Sequence, residues 1–90
     1  MAAAKFFVQG RVQGVFFRDT TRRQAEKLKL RGYAINLPDG RVEIVAAGDA
    51  GKIEALERWL WVGSAQSSVS GVERLDHSED DVAEEGFRTG

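Results

Sequence analysis

The sequence predicts an α+β domain in which two helices cover one face of an antiparallel sheet of four to five strands, in the order βαββαβ. Three observations carry this expectation. Apolar or small residues alternate at Phe6, Val8, Gly10 and Val12, the period of a strand, and residues of helical spacing follow. A Pro38-Asp39-Gly40 turn joins two further strand-like segments. A second helical stripe at Ile53, Leu56 and Leu60 then precedes a weaker strand. Two crossover helices in a chain of 90 residues lie most simply on one side of the sheet, which is the split-βαβ or ferredoxin-like arrangement.

Lys5 to Gln9 forms the core of the first strand, which leads into the turn Gly10-Arg11-Val12-Gln13-Gly14-Val15-Phe16-Phe17-Arg18. After the turn, Phe17, Thr21, Ala25 and Leu28 recur at near-helical spacing, and Gly32 is placed to end that helix. Tyr33 to Leu37 and Arg41 to Ala46 are the two arms of a hairpin, since proline presets φ for its turn and glycine accepts φ > 0. Gly48-Asp49 opens the second helix with Asp49 as N-cap, and Gly63 closes it. Trp59 and Trp61 diverge on that helix, so they cannot both face the core. A strand follows around Val69 to Leu75, with Gly71 interrupting its alternation. Gly86-Phe87-Arg88 forms a short, polar last strand that is expected to fray. Residues 1–90 are expected to be one domain, without repeat or linker.

A domain of this size buries roughly 60–65% of its unfolded surface and has no room for a deep pocket, so any active site should be a shallow surface cradle. The chain has no cysteine, which excludes disulfides, thiolate metal sites and a cysteine nucleophile. Its start, Met1-Ala2-Ala3-Ala4-Lys5, is too short for a signal sequence, and no apolar run approaches the ~18 residues of a membrane span. A cytoplasmic protein with no membrane partner is expected. The net charge of −1 hides a polarity: residues 1–31 carry +6 and residues 32–90 carry −7. Arg22, Arg23, Lys27, Lys29 and Arg31 suit a solvated helix face individually, yet collectively they attract an anionic ligand. His77 beside Glu79, Asp80 and Asp81 lacks a ligand set, and Asp80-Asp81 with Glu84-Glu85 is expected to be a mobile, solvated loop.

The positive half holds the glycine turn. There Gly14 can take a conformation closed to residues with a Cβ, and successive amide N–H groups can converge on one anion. Arg18 adds a permanent charge and a planar donor fork for two phosphate oxygens. No Gly-Lys-Ser/Thr follows the turn, and the Gly-x-Gly-x-x-Gly spacing of dinucleotide binders is missing. A site of arginine and backbone amides with little else must act on a phosphate that is already activated.

Gly10-x-Val12-Gln13-Gly14-Val15-x-Phe17-Arg18, followed by Gly32-Tyr33-Ala34-Ile35-Asn36 and Asp39-Gly40-x-Val42-Glu43, resembles the acylphosphatase family. The resemblance implies a small ferredoxin-like hydrolase, free of metal and cofactor, that cleaves the carboxyl–phosphate bond of acyl phosphates to carboxylate and inorganic phosphate. It makes Arg18 the phosphate-binding arginine, the amides of Gln13, Gly14, Val15, Phe16 and Phe17 the cradle, and Asn36 the residue that orients the attacking water. Its partners would be a small-molecule acyl phosphate and water, with no nucleic acid, and a monomer is expected. Two departures bear on the site. Ile35 stands where the family usually has a basic residue, and Ser64 replaces a common proline, which is expected to loosen its loop. Two other readings stay open: an RNA-recognition domain, for which Phe7 offers one stacking ring but Arg41 to Ala46 none, and a regulatory domain that binds phosphate without turnover.

Overall fold

The alternating segment forms strand β1 over Ala2–Arg11, with Ala4, Phe6 and Val8 fully buried on one face. It begins earlier than expected because Ala2, Ala3 and Ala4 pair with Gly48, Ala47 and Ala46. The computed structural model describes residues 2–83 and 85–90; Met1, at the head of the expected leaderless start, and Glu84, in the acidic run, lie outside the described residues. Helix α1 spans Phe17–Lys27, strands β2 and β3 span Arg31–Asn36 and Val42–Gly48, helix α2 spans Ala50–Val62, and strands β4 and β5 span Ser68–Asp76 and Phe87–Thr89. The sheet runs in the order β4-β1-β3-β2-β5. Its pairs are antiparallel except β2 with β5, which is parallel, so the expected layers hold and the sheet is mixed at one edge.

A single core joins both helices to one sheet face: Phe6, Val8 and Ile44 from the strands meet Phe17 and Ala25 from α1 and Ile53, Leu56 and Leu60 from α2. Burial of each such large side chain is worth about 1.5–3 kcal/mol. Trp59 is half-buried and stacks on Phe17 with centroids 5.8 Å apart, whereas Trp61 is 52% exposed, the divergence expected of neighbours two apart. Asp49 caps α2 by accepting from the Lys52 amide at 3.2 Å, and the Gly63 amide closes it on the Trp59 carbonyl at 2.8 Å.

The first helix ends differently from expectation. Lys29, in the left-handed region at φ 57, donates its amide to Glu26, and Leu30 donates to Ala25, which together make a Schellman cap at Leu28–Leu30. Gly32 therefore terminates nothing and lies inside β2, opposite Ala46. Its φ is 145, and a Cβ there would sit 1.8 Å from the Val45 carbonyl oxygen, so close strand approach is what demands glycine. Gly71 lies within β4, and the alternation of burial fails at Gly71 and Val72 as expected; the ladder with β1 shifts register between Gln9 and Gly10, a bulge that lets the strand continue.

The other face of the sheet carries a smaller cluster of Val45, Ala47 and Val82 with Ala3 and Tyr33. Its cover is the acidic segment expected to be a mobile loop. Instead Glu79–Asp81 forms a 3₁₀ turn capped by Ser78, Glu79 pairs with Arg31 at 3.9 Å, and Val82 is buried. Beside it the Tyr33 hydroxyl donates to Glu43 at 2.6 Å. Burial, and then this bond to a carboxylate, push the Tyr33 phenol up to about 12. Among the described residues no helix is long and apolar enough to cross a membrane, and no three His, Cys, Asp or Glu side chains cluster to hold a metal.

Two outcomes follow from this packing. Gly32→Ala should lower the unfolding free energy by more than about 3 kcal/mol in urea titration, whereas Gly71→Ala, with open space around it, should change it by less than about 1 kcal/mol. Tyr33 is the only tyrosine, so phenolate absorbance reports it directly, and its midpoint should lie near 12 rather than 10. Because the folded value is the higher one, the neutral phenol's contribution to stability is present below pH 10 and is lost as pH rises through about 12. Glu43→Gln should lower the midpoint only in part, since burial is the larger cause.

Candidate active site

Beyond β1 the chain turns through Val12–Phe16 into α1. Side chains alternate there too: Val12, Val15 and Phe17 are buried, while Gly14 and Phe16 face out. Gly14 at φ 74 and Phe16 at φ 61 both lie in the left-handed region, which curls the backbone into a concave turn. Phe16 is also the N-cap of α1 and offers no side-chain cap, so amides of the first helical turn are left without a side-chain partner. Uncapped amides at the positive end of a helix are an anion site.

Arg18, in that first turn, shares a hollow with Val12, Gly14, Phe16, Phe17, Asp19 and Thr89. Its guanidinium donates to a main-chain oxygen of Gly90, and among the described residues no Asp or Glu side chain pairs with it. Asp19, next in sequence, is engaged elsewhere: it accepts from Arg22 at 2.8 Å and pairs with Arg23 at 3.1 Å. The hydrogen bond from Arg22, followed by the charge of Arg23, holds the Asp19 carboxyl below its ordinary value. The hollow thus holds one guanidinium fork to which no Asp or Glu side chain is paired among the described residues.

Asn36 is the last residue of β2, exposed, and on the face of that strand that carries Ala34. It lies outside the lining of the hollow but close along the strand, because Gly90, which receives Arg18, donates its own amide to Ala34 at 3.0 Å. A second link was not visible in the motif. The Gln13 carboxamide donates to the carbonyls of Leu37 at 2.8 Å and Arg41 at 3.0 Å, tying the turn to the hairpin that carries Asn36. Of the Gln13 groups, only the backbone amide is therefore available to the cradle.

Ile35 lies on the opposite face of β2 from Asn36, close to Gly90, and is not among the residues that line the hollow. One expectation about the rim is corrected. Ser64 does not loosen its loop: its hydroxyl donates to the Val15 carbonyl at 3.1 Å, and its own carbonyl accepts from the Ser67 amide and hydroxyl. Thr89 was missed because its place depends on the parallel pairing of β5, with Thr89 opposite Ala34. Phe7, the ring proposed for base stacking, is covered by the Arg41 guanidinium 4.7 Å from its centroid. What remains is a shallow, cationic, donor-rich hollow suited to a phosphoryl group.

The acylphosphatase family model matches residues 4–89. An acylphosphatase of Xanthomonas campestris pv. campestris (strain 8004) is 58% identical over 74 residues, covering 82% of this chain and 84% of that protein. The crystal structure of acylphosphatase from Bacillus subtilis superposes with a TM-score of 0.93 at 33% identity, covering 100% of this chain and 99% of that one. A structure of an acylphosphatase from Coxiella burnetii gives a TM-score of 0.89 at 40% identity, with 99% and 92% covered.

Replacing Gln13 by Leu removes two hydrogen bonds from the Leu37 and Arg41 carbonyls, which keep their backbone donors Gly40 and Leu37, and should cost about 1–3 kcal/mol in chemical denaturation. Ser64→Ala, losing one bond to Val15, should cost only about 1 kcal/mol.

Proposed function

The chain belongs to the acylphosphatase family and is an acyl phosphate hydrolase, and on that premise we propose that Arg18 with the amides of Gln13 to Phe17 holds the phosphoryl group while Asn36 positions the attacking water. The observation that carries this reading is the turn itself, left-handed at Gly14 and Phe16, uncapped at the start of α1, and followed by an arginine that no Asp or Glu side chain among the described residues engages. The water oxygen bonds to phosphorus as the phosphorus–oxygen bond to the acyl group breaks. The carboxylate leaves with the electron pair, and the water's proton passes to a phosphate oxygen.

So sparse a site suits this bond. A carboxylate is a stable leaving group and needs no general acid, unlike the alkoxide left by an alkyl phosphate. The transition state is loose, with charge on the equatorial oxygens, so fixed donors supply most of the catalysis. Arg18 can bind two of those oxygens at once, a geometry closed to lysine. The small molecule and water are the partners this chemistry requires, and the domain, residues 1–90, acts as a monomer in the cytoplasm.

Hydrolysis of benzoyl phosphate with EDTA present tests the assignments. Arg18→Ala should lose ~10³–10⁵ in kcat/KM and Asn36→Ala roughly 10²–10³, with wild-type turnover unaffected by the chelator. Wild-type rates in the Arg18 variant would overturn the reading.

A further inference from the structure

Phe16 contributes an amide to the proposed cradle, yet its side chain has no part in holding phosphate. It is 75% exposed, the most exposed large apolar residue of the described chain. It also sits at φ 61 and ψ 19, a conformation glycine adopts freely and a bulky residue adopts against its preference. Exposure of the ring gives the fold nothing in return. The ring stands between two hollows. On one side is the hollow of Gly14, Arg18 and Thr89. On the other is a second hollow lined by Val15, Thr20, Ser64, Ala65 and Gln66, which contains no charged side chain. The loop that forms its far wall is fastened to the cradle by the Ser64 hydroxyl on the Val15 carbonyl.

We infer that the Phe16 ring and the uncharged hollow behind it form the subsite for the acyl group, and that it favours acyl phosphates with an aromatic or extended apolar acyl body. The inference rests on the cradle reading above. With phosphorus held at the Gly14–Arg18 turn, the carbonyl carbon is only two bonds away, so its substituent emerges beside whichever side chain borders the cradle. Phe16 is that side chain. The cradle itself contacts only phosphate oxygens and cannot distinguish one acyl group from another, whereas an apolar wall can. A second negative charge on the acyl group would find no cation in the hollow behind Phe16. Contact with the acyl body is the same before and during bond cleavage, so it should act on KM rather than kcat.

The test is the ratio of kcat/KM for benzoyl phosphate to that for acetyl phosphate, which cancels any disturbance of the shared phosphate cradle. Wild type should prefer benzoyl phosphate over both acetyl and succinyl phosphate. Phe16→Ala should lower the ratio about tenfold, equivalent to about 1.4 kcal/mol, with the change carried in KM. Phe16→Asn, which tolerates the left-handed backbone without a ring, should lower it equally, and Phe16→Tyr should restore it. A ratio within about twofold of wild type in both Phe16→Ala and Phe16→Asn, or a wild-type preference for succinyl phosphate, overturns the subsite. Arg18→Ala separates the two readings. If it loses both substrates while the Phe16 variants keep the ratio, only the subsite fails; if it keeps both, the cradle reading fails first.

Discussion

The carboxamide of Gln13 holds the two halves of the candidate site in one geometry. Backbone pairing between β1 and β3 ends at Val8 opposite Val42, so from there outward the cradle turn and the hairpin that carries Asn36 have no ladder between them. Gln13 spans that gap with one NH₂ group whose two protons go to the Leu37 and Arg41 carbonyls. Those carbonyls flank the hairpin turn, which is itself closed by the Leu37 amide on Arg41 and the Gly40 amide on Leu37. Both parts of the clamp are therefore already rigid. A donor-only contact on two acceptors needs an amide nitrogen; a glutamate there would set carboxylate oxygens against carbonyl oxygens.

The turn on the other side of the clamp is strained, and its burial pattern explains why it persists. A left-handed conformation costs a residue with a Cβ about 1–2 kcal/mol. Burying Val15 and Phe17 on either side of Phe16 is worth about 1.5–3 kcal/mol for each large apolar side chain, so the alternation outweighs the strain at Phe16. Phe17 is further fixed by its stack on Trp59, and Val15 by the Ser64 bond to its carbonyl. The fold thus sets the direction of the amides by anchoring the residues between them.

Legibility in the sequence followed the range of the interaction. The strand period at Phe6 and Val8, the stripe at Ile53, Leu56 and Leu60, the Asp49 cap and the Pro38-Asp39-Gly40 turn are local patterns, and each was readable without knowing what it packs against. Gly32 was misread because glycine serves both helix ends and crowded strands, and only the approach of the Val45 carbonyl separates the two uses. The face of β2 on which Ile35 stands depends on register, which the residue itself does not announce. At the site, Gly14, Arg18 and Asn36 stood out as residue types, while Gln13 as a clamp, Ser64 as a fastener and Thr89 as a wall depend on contacts between residues far apart in the chain. Those contacts have no local periodicity to announce them.

The charge pattern bears on the same site, through the carboxylates that are already engaged. The positive first third of the sequence suggested a general attraction for anions, and three of its eight cations, Arg22, Arg23 and Arg31, pair with carboxylates. Asp19 is shared by Arg22 and Arg23, Glu26 adds to Arg22, and Glu79 meets Arg31. Farther along, Asp39 holds Arg41, and Glu54 and Glu57 hold Arg74. These are exposed or half-exposed pairs worth little to stability, so their effect lies in the local field they leave behind. Asp19, next to Arg18 in the same helical turn and in the wall of the same hollow, has its carboxylate engaged by Arg22 and Arg23. A dianionic phosphoryl group arriving at the uncapped start of α1 then meets a guanidinium that no Asp or Glu side chain among the described residues engages.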